Sequence, residues 1–242
     1  MASVSVIVPT LNEASTIVGT VHRLRALCPE AEILVVDGGS DDGTTDLVRG
    51  LATLVRAPRG RGRQLNAGAR AASGDVLWFV HADTRIHDDG YAQLIAAISD
   101  PAVLGGGFTL AFDRRSPGLN ALAWTSNQRA RRLGWIFGDQ AMFVRRNAFA
   151  RVGGFPDLPL MEDLEMSRRL RAVGRLVVLP ATSTASSRRF DVHGPWSMLI
   201  YMQWLKLLYF RGVAPSALLA RYVAGPPWRR LLAGRAVPLA QR

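Results

Sequence analysis

One cysteine, Cys28, is all the chain has, which excludes an internal disulfide framework and a cysteine-based zinc site and fits a reducing compartment. Lysine is equally scarce: Lys and Arg together number 30, Lys206 is the sole lysine, and 29 are therefore arginines. Asp and Glu number only 19, leaving a formal charge of +11. The arginine excess has two readings that composition does not separate. A GC-rich genome writes Arg for Lys throughout, and the planar guanidinium fork is also the better grip on phosphate and carboxylate. No window offers the roughly 20 apolar residues of a membrane span. The N-terminus lacks a basic region, and Pro9 ends its first apolar run after a strand's length, so no signal peptide is expected and the cytoplasm is the expected location. Internal repeats and low-complexity linkers are missing too. The arginines are scattered and no recognition-helix or RNA-binding signature accompanies them, so a nucleic-acid partner is not expected.

What is present is a folding chain of 242 residues, 48% of them hydrophobic, enough for one large domain or two small ones. Short β-branched runs alternate with helical patterns: Val4 to Val8, a helix bearing Ile17, Val21, Leu24 and Cys28 on one face, then Ile33 to Val36. A second helix with Leu47, Val48 and Leu51, a strand at 53–56, an Ala-rich helix near 65–72 and a strand at 76–80 continue the alternation. Continuous apolar strands between helices predict a mostly parallel sheet covered on both faces. The second half is less regular, with strands expected at 104–112, 141–145 and 176–179 and helices at 119–133, 162–173 and 196–210. A polar loop is expected at 181–189, and a Pro- and Arg-containing tail closes the chain. The reading is an α/β domain over 1–190 with a helical extension, 191–242, in the same structural unit.

In such sheets ligands bind beyond the carboxyl ends of the strands, so the informative residues follow Val8, Val36 and Val80. After the first strand stand Pro9, Thr10, Leu11, Asn12 and Glu13; after the second come Asp37, Gly38, Gly39 and Ser40. Hydroxyl, amide and carboxylate beside a flexible turn suit a nucleoside, and both segments also suit plain turns with helix caps. His81, Ala82 and Asp83 follow Val80, and one carboxylate there suffices for Mg²⁺ or Mn²⁺ when a substrate diphosphate supplies other oxygens. Arg59 to Gly68, with Arg63 and Asn66, reads either as a phosphate-binding helix start or as a surface basic loop.

Six ordered segments carry a resemblance: Ser-Val-Ile-Val-Pro-Thr-Leu-Asn-Glu, Val-Val-Asp-Gly-Gly-Ser-Asp-Asp-Gly-Thr, Gln-Leu-Asn-Ala-Gly, His-Ala-Asp-Thr, Val-Gly-Gly-Phe and Met-Glu-Asp-Leu-Glu. Over residues 3–175 the chain resembles the family 2 glycosyltransferases of GT-A fold. The resemblance implies that Pro9, Thr10, Asn12, Glu13 and Asp37 bind a uridine part, that Asp83 is the second acid of a metal-binding Asp-x-Asp motif, and that Asp163, beside Glu162, is the catalytic base of an inverting transfer. Position 81 departs from the pattern, since His81 stands where the family has Asp and one negative charge is lost. His193 is either a second metal ligand or a plain loop histidine.

On the acceptor side, Gln140, Arg145, Arg188, Arg189 and Trp196 are expected to act, pointing to an anionic acceptor; Arg145 and Arg146 also read as helix caps. The compact form, with Phe-Gly-Asp-Gln-Ala-Met-Phe and Ser-Ser-Arg-Arg-Phe, resembles a narrower subgroup known either as arsenosugar-biosynthesis transferases or as selenosugar synthases. In the latter, selenophosphate attacks a UDP-sugar, UDP-N-acetylglucosamine or UDP-glucose being the donors expected here. The competing reading is a transferase acting on a lipid phosphate at the membrane surface. For that, the aromatic-rich 196–210 helix would lie on the bilayer; it also reads as a homodimer interface or as cover for the core.

Overall fold

A computed structural model describes residues 2–228; the Arg-rich tail beyond them, part of the expected extension, lies outside the described residues, as does the side chain of Arg189. Eight strands form one sheet: β1 (Val4–Thr10), β2 (Glu32–Asp37), β3 (Thr53–Arg56), β4 (Val76–Phe79), β5 (Arg85–Ile86), β6 (Val103–Phe112), β7 (Phe143–Arg145) and β8 (Arg175–Ala185). Their order is β3-β2-β1-β4-β7-β6-β8-β5. The first four strands are mutually parallel, as their unbroken apolar character predicts. β7 runs antiparallel to both β4 and β6, and β5 antiparallel to β8. From β1 the chain moves out to β2 and β3, then returns to β4 on the other flank of β1. The crevice between the ends of β1 and β4 is therefore a topological switch point.

The helices are α1 (Ile17–Leu27), α2 (Thr44–Leu47), α3 (Arg61–Ala71), α4 (Gly90–Ser99), α5 (Pro117–Leu133), α6 (Arg146–Arg151), α7 (Glu162–Val173), α8 (Arg188–His193), α9 (Pro195–Phe210) and α10 (Pro215–Ala224). Local chemistry sets several of their ends. Ser116 accepts from Leu119 N at 3.2 Å, Pro117 opens the first turn of α5, and Gly134 closes it at φ 69°. The polar run 181–185, expected as loop, instead extends β8, because β6 pairs with it through Ala185 and β5 pairs with Ser183 and Thr184. Elements the periodicity did not single out are β5, α4, α6, α8 and α10.

Alternate strand residues feed two cores. Val6, Val8, Val35 and Trp78 meet α1 and α4 on one face, while Ile7, Leu34, Val36 and Leu77 meet α3 and α7 on the other. Cys28 lies in the first core, where burial pushes its thiol up to about 12 and leaves it inert. The α3 helix approaches the sheet through Gly68, where a Cβ would stand 2.4 Å from Ile7 Cγ2 and 2.8 Å from Val36 Cγ2. Gly68→Ala is accordingly expected to destabilise the fold by about 1–3 kcal/mol, the usual cost of overpacking, measured by denaturant unfolding. A third core joins Leu122 of α5, Leu164 of α7, Phe190 of α8, Met198, Tyr201 and Leu205 of α9 and Leu218 of α10. It seats the C-terminal helices beyond the switch point and so walls off a second cavity.

Candidate active site

Backbone and side chain lock the loops after β1 and β2 together. Asn12, in the left-handed region at φ 57°, donates its N–H to Ser40 Oγ at 2.9 Å and accepts from Asp41 N at 3.0 Å through Oδ1. Glu13 N donates to Thr44 Oγ1 and Ala14 N to Asp42 Oδ2, both at 2.9 Å. The buried Asp37 carboxylate accepts from the N–H groups of Gly39 and Ser40 and from the Ser40 hydroxyl, so it is spent on holding the turn, and of the expected nucleotide-binding residues Asn12, Asp37, Gly38 and Ser40 line neither cavity. Gln64 of α3 donates to the carbonyls of Thr10 at 2.8 Å and Val36 at 2.9 Å, fixing the ends of β1 and β2 to each other.

Between these loops and the end of β4 lies a cleft of about 360 Å³, lined by Pro9 and Thr10 of β1, Leu11 and Glu13 just after it, Arg59 and Gly60 just before α3, Arg61 and Gln64 within it, and His81 to Asp83. A larger cavity of about 780 Å³ opens beyond it, under α5, α8, α9 and α10. Three residues line both: Arg61, His81 and Asp83.

Arg61 organises the junction. Its Nε is paired with Glu162 and its Nη2 lies 3.1 Å from Asp163 Oδ2. Burial works against the guanidinium charge, and the two carboxylates more than restore it, holding Arg61 above its usual range. Glu162, 1% exposed, has its carboxyl pushed up chiefly by burial, against the pull of Arg61. Asp163 also accepts from Gly138 N at 3.0 Å on Oδ2 and from Leu164 N at 2.7 Å on Oδ1, so N–H donors hold both of its oxygens. The His81 ring packs on the Gly138 backbone; burial first and the Arg61 charge second push it down to about 4, leaving a neutral imidazole.

The expected metal set comes together only in part. Asp83, with a side chain 36% exposed, sits at the junction with Arg188 Nη2 3.9 Å away. His193 lines neither cavity; its ring packs on Gly225. Among the described residues no group of three or more His, Cys, Asp or Glu could enclose an ion. A lone accessible carboxylate still fits a Mg²⁺ or Mn²⁺ site whose remaining oxygens come from a diphosphate and water.

Several expected ligand-binding residues are engaged elsewhere. Arg63 makes a bidentate pair with Asp157, and Asn66 clamps the backbone of Phe155 through both its amide atoms; the helical phase of α3 turns them to the 153–157 loop and presents Arg61 to the cleft instead. Arg145 donates to the carbonyls of Val103, Ile98 and Asp100, and lies where β7 meets the amino end of β4, far along the strand from His81. Gln140 is fully buried, where its Oε1 accepts from Arg129 at 3.1 Å. Trp196, 56% exposed, stacks on the start of α5 outside the cavity. Of the expected acceptor residues with described side chains, Arg188 alone lines the cavity.

The cavity wall adds residues that were not among the expected site residues: Arg129, Asp139 and Lys206. Burial pushes the Asp139 carboxyl up, and its Oδ1 is buried without a partner. Asp139 was visible within Phe-Gly-Asp-Gln; Arg129 and Lys206 come from helices whose inward faces the sequence does not mark.

Residues 5–156 match the family model described as glycosyl transferase family 2. Succinoglycan biosynthesis protein ExoA of Rhizobium meliloti (strain 1021) is 28% identical over 262 aligned positions, spanning 97% of this chain and 76% of that protein. Mannosyltransferase PcManGT from Pyrobaculum calidifontis, in complex with GDP-Man and Mn²⁺, superposes with a TM-score of 0.65 at 22% identity, covering 97% of this chain and 76% of that one. Glucosyl-3-phosphoglycerate synthase from Mycobacterium tuberculosis, in complex with Mn²⁺, UDP and glucosyl-3-phosphoglycerate, superposes at 0.63 and 19% identity, covering 88% and 81%. At these identities the structural likeness is one of fold.

Proposed function

The chain belongs to glycosyl transferase family 2, nucleotide-sugar-dependent enzymes, and has the GT-A fold; from that premise we propose that it moves a sugar from UDP-N-acetylglucosamine or UDP-glucose to a small anionic acceptor, selenophosphate before others. The observation that carries this reading is the junction of the two cavities at Arg61, His81 and Asp83, with Arg129, Lys206 and Arg188 on its far side. A donor bound in the cleft would present its anomeric carbon at that junction, facing an acceptor held among cations.

Substitution at an anomeric carbon builds positive charge on the sugar and negative charge on the departing diphosphate, and both need stabilising by groups already in place. Asp83 would hold a divalent ion, which neutralises diphosphate charge when bound. Arg61, at the same junction, faces the diphosphate from the α3 side. The selenium lone pair of selenophosphate forms the bond to C1 as the C1–O bond breaks, its electron pair leaving with UDP, and in-line attack inverts C1. Water then cleaves the P–Se bond, releasing inorganic phosphate and the selenosugar. An ionised nucleophile needs no strong base, which agrees with an Asp163 whose two oxygens are occupied by N–H donors. Its role here is to face the sugar cation and to orient water for phosphate loss.

A lipid phosphate as acceptor is favoured by a separate observation. Trp196, Ile200, Trp204 and Leu207 share an exposed face of α9, with Trp124 and Phe210 also exposed, although no helix among the described residues is long and apolar enough to cross a membrane. Mass spectrometry of the full chain with Mn²⁺ and UDP-sugar separates the two. Selenophosphate should yield UDP, phosphate and selenosugar in equal amounts. UDP release only with polyprenyl phosphate in vesicles would transfer the assignment to the lipid, and release with neither would contradict an anionic acceptor.

A further inference from the structure

The chain's one lysine stands in the acceptor cavity. Lys206 is also the sole charged residue in the sixteen of α9, and it lies on the inward flank of that helix next to the buried Leu205. Across from it, on α5, Arg129 places its guanidinium carbon 3.6 Å from the centroid of the Phe137 ring, and Lys206 Nζ lies 5.7 Å from the same centroid. Two cations are thus gathered on one aromatic ring at the cavity wall.

Their charges are balanced less closely than the neighbouring ones, since Asp139 and Asp163 attract both only from beyond ion-pair distance. Arg61 is paired with Glu162 and Asp163, and Arg188 lies near Asp83. Arg129 spends its donors on neutral acceptors, Trp135 O at 3.1 Å and Gln140 Oε1 at 3.1 Å. Among the described residues neither Arg129 nor Lys206 is in an ion pair, and Lys206 Nζ makes no hydrogen bond. Holding two like charges in a part-buried site is costly unless an anion completes it.

We propose that Lys206 and Arg129 receive the oxyanion of the acceptor, a phosphate-type group, and so set the enzyme's preference for a charged acceptor. The inference rests on the anionic-acceptor reading above and names the side chains that read the charge. Residue type agrees with the role. A lysine offers a compact charge with three rotatable donors on a flexible stem, suited to a near-spherical oxyanion, whereas Arg129 is fixed in orientation by its two neutral partners. The surrounding field agrees as well. Burial first, then Arg129, push Lys206 down to about 8, with Asp139 from the turn after α5 and Asp163 from α7 opposing; Arg188 of α8 and Tyr222 of α10 face the same cavity. A bound anion relieves that repulsion.

Titration calorimetry of the full chain, loaded with UDP and Mn²⁺, tests this with inorganic phosphate as the probe. Lys206→Gln should weaken phosphate at least about tenfold, the loss of a charge-assisted contact, while Lys206→Arg retains most of the affinity. UDP affinity should be equal in all three proteins, which also shows that the variants are folded. The pH profile adds a readout that a merely structural lysine would not move. Phosphate affinity of the native protein should fall as pH rises through about 8, where Lys206 loses its proton, and Lys206→Arg should lack that fall because its guanidinium stays charged. Polyprenyl phosphate in neutral-lipid vesicles forms the second arm: the same Lys206→Gln loss there, with no heat from free phosphate, assigns the site to a lipid headgroup. Equal phosphate affinity in native and Lys206→Gln proteins, or no binding of either phosphate source while UDP binds normally, overturns the inference and leaves donor binding standing. Failure to bind UDP would strike at the function itself.

Discussion

Asp83→Ala is expected to lower turnover by about 10²–10³-fold, the usual penalty for removing one preorganised group that stabilises developing charge, while leaving the unfolding midpoint near that of the native protein. The two halves of the expectation have separate grounds. Asp83 is the carboxylate at the junction of donor cleft and acceptor cavity, and its side chain is 36% exposed, with its nearest ion-pair partner 3.9 Å away. A pair that loose and that accessible contributes little to stability. Its value lies in what it can hold when a diphosphate is present, because a divalent ion bound by one protein carboxylate depends on that carboxylate for its position. His81, an imidazole packed on the Gly138 backbone, does not supply the negative charge that the carboxylate brings. Stopped assays of UDP release across a Mn²⁺ series check this. Near-native rates in Asp83→Ala at every Mn²⁺ concentration would remove Asp83 from the chemistry.

Arg61→Met should have the largest combined effect, losing about 3 kcal/mol of stability and nearly all activity. Removing one partner of a buried pair leaves the other charge stranded, typically at 3–5 kcal/mol; the low end applies because water reaches Arg61 from the cleft, its side chain being 39% exposed. Glu162 is the group left stranded: it is 1% exposed, its Oε2 already lacks a partner, and burial already pushes its carboxyl up. The sign of the pH effect follows. With Arg61 gone, the Glu162 pKa rises further above its unfolded value, so the variant binds a proton on folding and is most stable at low pH, losing stability as pH rises through the raised pKa. Pairing Arg61→Met with Glu162→Gln removes the stranded charge and should recover most of the stability, yet not the activity, since Asp163 has still lost its guanidinium partner. Denaturant unfolding of both variants at two pH values, beside UDP release, separates the two roles. If the double variant recovers activity together with stability, Arg61 acts only as scaffold.

The left half of the fold was legible because β-branched runs and helix spacings there are local signals: Val4 to Val8, Ile33 to Val36 and Val76 to Val80 all fall in parallel strands. The extension of β8 through 182–184 was not, since Thr, Ser and Thr read as loop until β5 and β6 supply ladders on both sides. The position of the cleft was legible for the same topological reason that places ligands at strand ends, but its lining was legible only in part, since Asn12, Asp37 and Ser40 tie the two loops together outside it. Phase defeated the reading of α3. With no fixed starting residue for that helix, Arg61, Arg63 and Asn66 are equivalent in sequence, and the tertiary structure decides that Arg61 faces the cleft while Arg63 meets Asp157. Long-range partners were beyond reach altogether: Arg61 and Glu162 lie 101 positions apart. The acceptor cavity is built almost wholly from such contacts. Lys206 and Arg129 meet around Phe137 because α5 and α9 share a core with α7 and α10, which no local pattern announces.

The central claim, a switch-point cleft that grips a nucleotide diphosphate sugar beside a cationic acceptor cavity, is tested most directly by calorimetry of the native chain with UDP and UDP-N-acetylglucosamine, with and without Mn²⁺. Saturable one-to-one binding that tightens with Mn²⁺, and that loses this Mn²⁺ dependence in Asp83→Ala, is the predicted result. No heat from either compound under both conditions, in protein that unfolds cooperatively, would contradict it.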